Sequence, residues 1–199
     1  MKIILASASQ RRINLLTKFG FDFQVHTAEV EEIDISRLEY TACEQIAVKN
    51  ALHKAQAVLH KFPDALVIGA DTIVVIGKRI LGKPENADKA YEMLRLLSGK
   101  KHQVITGVAL CSQKRIREFF VSTDVYLRKL ADYEIHEYIK TKEPLDKAGS
   151  YGIQGIGGAF VESISGCYYN VVGLPISRLI VELRGFGIDI FARGGHEGE

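Results

Sequence analysis

Between Ala65 and Ile76 the chain reads Ala-Leu-Val-Ile-Gly-Ala, then Asp71-Thr72, then Ile-Val-Val-Ile. A continuous apolar run of this kind is expected of a strand buried on both faces. A carboxylate placed inside it is costly to bury unless something pairs with it. Asp71 is therefore either a partnered structural group or a functional one, and function is the favoured reading. A second constraint comes from the N-terminus. Lys2–Ala6 is an apolar strand that ends in Ser7-Ala8-Ser9-Gln10-Arg11-Arg12, ahead of a helix expected over Ile13–Phe19 with the arginines on its first turn. Backbone N–H groups at a helix start attract anions, and two guanidiniums beside them suggest a phosphate site made by Ser9, Arg11 and Arg12. The alternative is that Ser9 is only an N-cap and the arginines face solvent.

The rest of the chain reads as alternating helices and strands. Gly20 suits a helix stop, and Phe21–Thr27 a short strand. The acidic segment 28–34 has no period and reads as a solvated loop. Thr41-Ala-Cys-Glu44 has the form of a capping box and opens a helix to about His60 that carries Lys49 and Lys54. Gly77-Lys78 makes a turn, and Pro84 fixes the loop that carries Lys83. Asn86 caps a helix closed by Ser98-Gly99. Strands are expected at His102–Cys111 and Arg117–Leu127, the second alternating as a half-exposed strand does. A helix over Asp132–Lys140, a strand over Ala159–Ile164 and a last helix after Pro175 complete the series. Residues 1–190 read as one domain and 191–199 as a disordered tail.

Composition narrows the function. A net charge of +2 over 199 residues is too small for a nucleic-acid polymer or an anionic membrane as partner, so the basic residues matter by location. Three scattered cysteines with no CxxC pair argue against a disulfide framework and a zinc site. The N-terminal apolar stretch is too short for a secretory signal, and the expected location is cytoplasmic. The segment Asp146–Gly158 is glycine-dense, which suggests close backbone approach to something, or positive φ angles. It lacks the ending of a Walker loop and the order of a dinucleotide fingerprint. No Gly-x-Ser-x-Gly elbow supports acyl transfer. Arg11-Arg12, Glu32, Asp71 and Lys83, with Lys54 as a fifth group, would form a polyphosphate site if they converge. The basic groups would hold phosphates while the carboxylates hold Mg²⁺ or Mn²⁺ and activate water.

At these residues the chain resembles the Maf family of nucleoside triphosphate pyrophosphatases. The shared pieces are LASASQRR (5–12), Glu31-Glu32, Lys54-Ala55, GADT (69–72), GKP (82–84), LSG (97–99), TGVAL (106–110), DKAGSYGIQG (146–155) and NVVGLP (170–175). Gln10 stands where the family usually has proline, and Glu31 where aspartate is common. The resemblance implies an α/β fold, a mixed twisted sheet flanked by helices with two lobes around a deep nucleotide-binding cleft, similar to inosine triphosphatases. It implies metal-dependent hydrolysis of a nucleoside triphosphate to monophosphate and pyrophosphate. Asp71 would be the general base, and Arg12, Thr72 and Gln154 would select the base. Glu32, Lys54 and Lys83 match positions implicated in catalysis, and Glu32 and Asp71 are the candidate metal ligands. The Tyr-Gly-Ile-Gln-Gly form of the late motif looks like the branch acting on dTTP and UTP. Its role would be in nucleotide-pool housekeeping or arrest of septum formation. Two other readings stand beside it, a nucleotide-binding regulator of septum formation that needs no turnover, and an enzyme for inosine or methylated guanosine triphosphates. A homodimer is an open expectation.

Overall fold

The computed structural model describes residues 1–28, 30 and 43–192. Among these, one twisted sheet holds β1 (Ile3–Leu5), β2 (Gln24–Val25), β3 (Leu66–Ile76), β4 (Arg79–Leu81), β5 (Lys101–Cys111), β6 (Ile116–Leu127) and β7 (Val161–Ser165). The spatial order is β2-β1-β3-β5-β6-β7, with β4 added beside β3. β1 runs parallel to both β2 and β3, and the remaining pairs are antiparallel. The helices are α1 (Gln10–Lys18), α2 (Cys43–Leu59), α3 (Ala87–Leu97), α4 (Asp132–Lys140), α5 (Tyr168–Val172) and α6 (Ile176–Arg184).

Alternation along the long strands divides the core between two faces. On one face α2 lays Ala51, Ala55 and Val58 against Val67, Ala109 and Cys111, and Ala47 against Ile73, Val75 and Ile105. Two glycines allow the helix to lie this close. A Cβ on Gly69 would stand 3.0 Å from both the Ala51 carbonyl carbon and the Ala55 Cβ, and closer still to the Ala51 oxygen. Gly107, opposite Asp71 in the β3–β5 register, meets the Ala47 backbone in the same way.

The other face carries two separate apolar clusters, which are the two lobes. One packs α1 and α6, through Leu15, Leu16, Leu179 and Leu183, on Ile68, Ala70, Val108 and Leu110. The other packs α3 and α4, through Leu94, Leu97 and Ile135, on Val74, Val104, Val125 and Leu127. Each of these large side chains contributes about 1.5–3 kcal/mol by leaving water. Between the clusters lie Thr72, Thr106 and Thr123, one from each of β3, β5 and β6.

Several expected boundaries shift. Helix α1 starts at Gln10, not Ile13, because Ser9 is already extended (φ −66°, ψ 112°) and Gln10 takes the first helical position. Proline is favoured at that position, so glutamine there loses a rigid start and keeps the helix. Gly20 does close α1 with a left-handed φ of 70°, Gly20 N–H donating to Thr17 O and Phe21 N–H to Leu16 O. The strand expected over Phe21–Thr27 shrinks to Gln24–Val25, an exposed edge pair. β7 begins at Val161, since Ile156–Phe160 winds into a 3₁₀ turn. Thr41 of the expected capping box and residues 193–199 of the expected tail lie outside the described residues.

Candidate active site

The cleft follows from the strand pairings. β1 pairs with β3 only as far as Leu5↔Ile68, and β4 joins β3 only from Val74↔Leu81. Between them, among the described residues, no strand covers that edge of β3 at positions 69–73. A cleft of about 890 Å³ opens at this notch, off the C-terminal end of parallel β1. Crevices at such strand ends are the usual ligand sites of open α/β sheets. The expected residues Ser9, Arg11, Arg12, Lys54, Asp71, Thr72, Lys83 and Gln154 all line it. Glu32 lies outside the described residues.

Asp71 is 7% exposed and points to the α2 side of the sheet. Lys54 Nζ donates to its Oδ1 at 2.7 Å, and Asn50 Nδ2 to its Oδ2 at 3.0 Å. Asn50 and Lys54 are four apart on α2 and so share one helix face. That face lies over Asp71 because Gly69 and Gly107 bring the helix down. The costly carboxylate inside the apolar run is thus held at both oxygens.

Thr72 points the opposite way, into the seam between the lobes. Arg12 is itself buried and donates from Nε to Gly173 O (2.8 Å), from Nη1 to Ser7 Oγ (3.1 Å) and from Nη2 to Thr72 Oγ1 (3.0 Å). The alternative of two solvent-facing arginines therefore fails for Arg12. Arg11 is about one-third exposed and only loosely paired, 3.8 Å from Asp146. Ser9 holds the N-cap position, but its side chain makes no capping bond; its N–H donates to Ser7 Oγ at 3.2 Å.

The glycine-rich segment forms the opposite wall. Several of its glycines approach this protein's own side chains. Cβ atoms at Gly152 and Gly155 would crowd Lys147 and Glu143, and one at Gly157 would strike the Tyr138 hydroxyl. Glu143 collects the loop, accepting from Tyr138 Oη at 2.9 Å, from Ile156 N at 3.0 Å and from Gly157 N at 3.3 Å. Gln154, exposed, is carried between these anchors. Gly149 N–H donates to Gly82 O at 3.1 Å, which ties this wall to the loop of Lys83. Beneath it Tyr151 Oη meets His102 Nε2 at 2.8 Å. Burial pulls the His102 imidazole down to about 4, so it is neutral at pH 7, and burial raises the Tyr151 phenol above its ordinary range.

Asn50, Ser7 and Glu143 line the cleft and Thr106 lies buried behind it; sequence reasoning singled out none of them. Asn50 had a signal: a polar residue one helical turn before Lys54, in line with the buried alanines. Glu143 had none, because its partners, two backbone N–H groups and the Tyr138 hydroxyl, leave no pattern in the sequence.

Fold and cleft together define a mixed α/β protein whose notched sheet opens a polar cleft, with a paired carboxylate on its floor and basic side chains at its rim. Within that class the chain belongs to the family described as Maf-like protein, which matches residues 2–186. It is 51% identical over 189 residues to the dTTP/UTP pyrophosphatase of Bacillus cereus strain G9842, covering 95% of this chain and 97% of that protein. It is also 51% identical, over the same shares, to the dTTP/UTP pyrophosphatase of Bacillus anthracis. Among solved structures the Staphylococcus aureus Ham1 protein matches 94% of this chain and all of its own, at 16% identity and a TM-score of 0.53, a likeness of fold.

Proposed function

We propose that this chain is a nucleoside triphosphate pyrophosphatase that hydrolyses dTTP and UTP to the monophosphate and pyrophosphate. The observation that carries the chemistry is Asp71, a carboxylate on the cleft floor fixed by Lys54 and Asn50. The relatives at about half identity carry the substrate. Water attacks the α-phosphorus; its oxygen joins that atom, one of its two protons passes to Asp71, and the bond from the α-phosphorus to the bridging oxygen breaks as pyrophosphate leaves. A base fixed at both oxygens needs no reorientation when the water arrives. Lys54, Lys83 and Arg11 place positive charge where phosphate oxygens gather charge, and the first turn of α1 adds backbone donors. Arg12, Thr72 and Gln154 lie around the base. Residues 1–190 act as one unit.

The donor set suits a divalent cation. Asp71 gives one hydrogen bond acceptor to Lys54 and one to Asn50, which leaves carboxylate lone pairs for a hard metal. Among the described residues no cluster of three His, Cys, Asp or Glu could hold an ion alone. A cation on Asp71, Glu32, water and triphosphate oxygens matches the way Mg²⁺ is usually bound beside phosphates. Bound there, it supplies charge neutralisation on the phosphate oxygens.

The test is turnover by purified protein with Mg²⁺ or Mn²⁺ on a panel of purine and pyrimidine triphosphates, reading phosphate and pyrophosphate separately. Equal dTMP and pyrophosphate with no dTDP is the expected result. Phosphate release with dTDP accumulating, or tight binding without turnover, would overturn the reading.

A further inference from the structure

The chain of hydroxyls behind the cleft has a direction. Arg12 donates to Thr72 Oγ1, Thr72 Oγ1 lies 3.0 Å from Thr106 Oγ1, and Thr106 Oγ1 lies 3.0 Å from the Asn170 carbonyl oxygen. A threonine hydroxyl has one proton. The Asn170 carbonyl can only accept, so that contact is a hydrogen bond only when Thr106 donates to it. Thr106 then has no proton for Thr72, and the contact between the two hydroxyls is a bond only when Thr72 donates. The reverse setting would leave two bare oxygens facing each other 3.0 Å apart in a fully buried place.

We propose that Thr106, buried and out of reach of substrate, sets the polarity with which Thr72 reads the base. With its proton committed to Thr106 and an Arg12 N–H on another side, Thr72 offers the cleft an acceptor and no donor. Uracil and thymine present an N–H at ring position 3 and satisfy it; cytosine presents a bare nitrogen there and does not. The inference rests on the base-reading role of Thr72 proposed above. It assigns to Thr106 a positioning role, and a reason for threonine on β5 at the seam.

Thr106→Val keeps shape and burial and removes the acceptor. The Thr72 proton is then free to swing toward the cleft and serve cytosine. The Asn170 carbonyl still receives the Gly173 N–H at 3.0 Å, so the change leaves it paired. The measurement is kcat/KM for UTP and CTP, which share a sugar, in wild type, Thr106→Val and Thr106→Ser. The preference for UTP over CTP should narrow about tenfold or more in the valine variant and persist in the serine variant. A folded Thr106→Val protein with an unchanged ratio, or with equal losses on both nucleotides, overturns the proposal, as does a serine variant that loses the ratio too. If the valine variant does not fold, Thr106→Ala carries the same expectation. A wild type that hydrolyses both nucleotides equally well would refute Thr106 and Thr72 as base readers together, leaving the pyrophosphatase chemistry standing.

Discussion

Gly69→Ala tests whether the approach of α2 to the sheet is what assembles the proposed catalytic groups Asp71, Lys54 and Asn50. The added Cβ would stand 3.0 Å from the Ala51 carbonyl carbon and the Ala55 Cβ, and nearer to the Ala51 oxygen. Ordinary carbon contacts are about 3.5–4.0 Å, so the helix must retreat by at least about 0.5 Å, and further to clear the oxygen. Overpacking of this kind costs about 1–3 kcal/mol. At about 2–4 °C per kcal/mol for a chain of this size, the melting temperature should fall by roughly 2–12 °C. The same retreat pulls Lys54 Nζ and Asn50 Nδ2 away from Asp71, whose bonds are 2.7 and 3.0 Å. A misplacement on the order of 1 Å can cost about 10²-fold in rate, and kcat should fall by that order while the fold persists. Melting by circular dichroism and dTTP turnover read the two effects separately. In an Asp71→Asn background the glycine change should cost little further activity, because both act on one interaction. A variant that melts and turns over like wild type would refute the reasoning, and so would full additivity with Asp71→Asn.

Three further outcomes follow from the same geometry. Asp71→Asn should lower kcat roughly 10²–10⁴-fold with the fold kept, and recovery at high Mg²⁺ would assign the carboxylate to metal ligation. Gln154→Glu retains an acceptor and loses the amide donor, so kcat/KM for dTTP and UTP should fall about tenfold; CTP should lose less, and equal losses would reduce Gln154 to loop structure. His102 is held near 4, below its ordinary value of about 6.5, so its contribution to stability is complete above pH 6.5 and is lost as pH falls toward 4. That loss amounts to about 3 kcal/mol on linkage. His102→Gln, which does not titrate, should flatten urea-derived stability over that window; parallel curves would contradict it.

What the sequence disclosed and what it withheld divide along a physical line. Strand β3, helix α3 with its Asn86 cap bonding Lys89 N, and the β5–β6 pair were legible because local pattern and burial agree there. Asp71 was legible as a violation of that pattern. Gly69 and Gly107 were visible as motif letters, but their reason, the backbone of α2 resting on them, is a contact across the chain. Glu143 and Thr106 stayed hidden because most of their partners, Ile156 N, Gly157 N, Asn170 O and Thr72 Oγ1, meet them only in the folded chain. The glycines of the late segment pointed to close approach or positive φ, and both occur: Gly149 takes a φ of 70°, while Gly152, Gly155 and Gly157 lie against Lys147, Glu143 and Tyr138.

The polar seam has a cost that locates its purpose. Apolar side chains at Thr72, Thr106, Thr123 and Asn170 would fuse the two clusters on that face into one core. Asn170 instead spends its amide N–H groups on Val104 O at 2.9 Å and Thr123 Oγ1 at 3.0 Å. Its side-chain oxygen is left buried without a partner. Turning the amide over would set that oxygen against the Val104 carbonyl, so the neighbours fix the orientation. An unsatisfied buried acceptor costs about 1–3 kcal/mol. The gain is that α5 is pinned with the Asn170 carbonyl facing Thr106 and the Gly173 carbonyl facing Arg12. Because neighbouring residues of a strand face opposite ways, Asp71 and Thr72, the proposed general base and the proposed base reader, reach one cleft from two sides of the sheet. Stability is given up in the seam, where the direction of each hydrogen bond matters, and kept on the face of Asp71, where α2 packs on glycine.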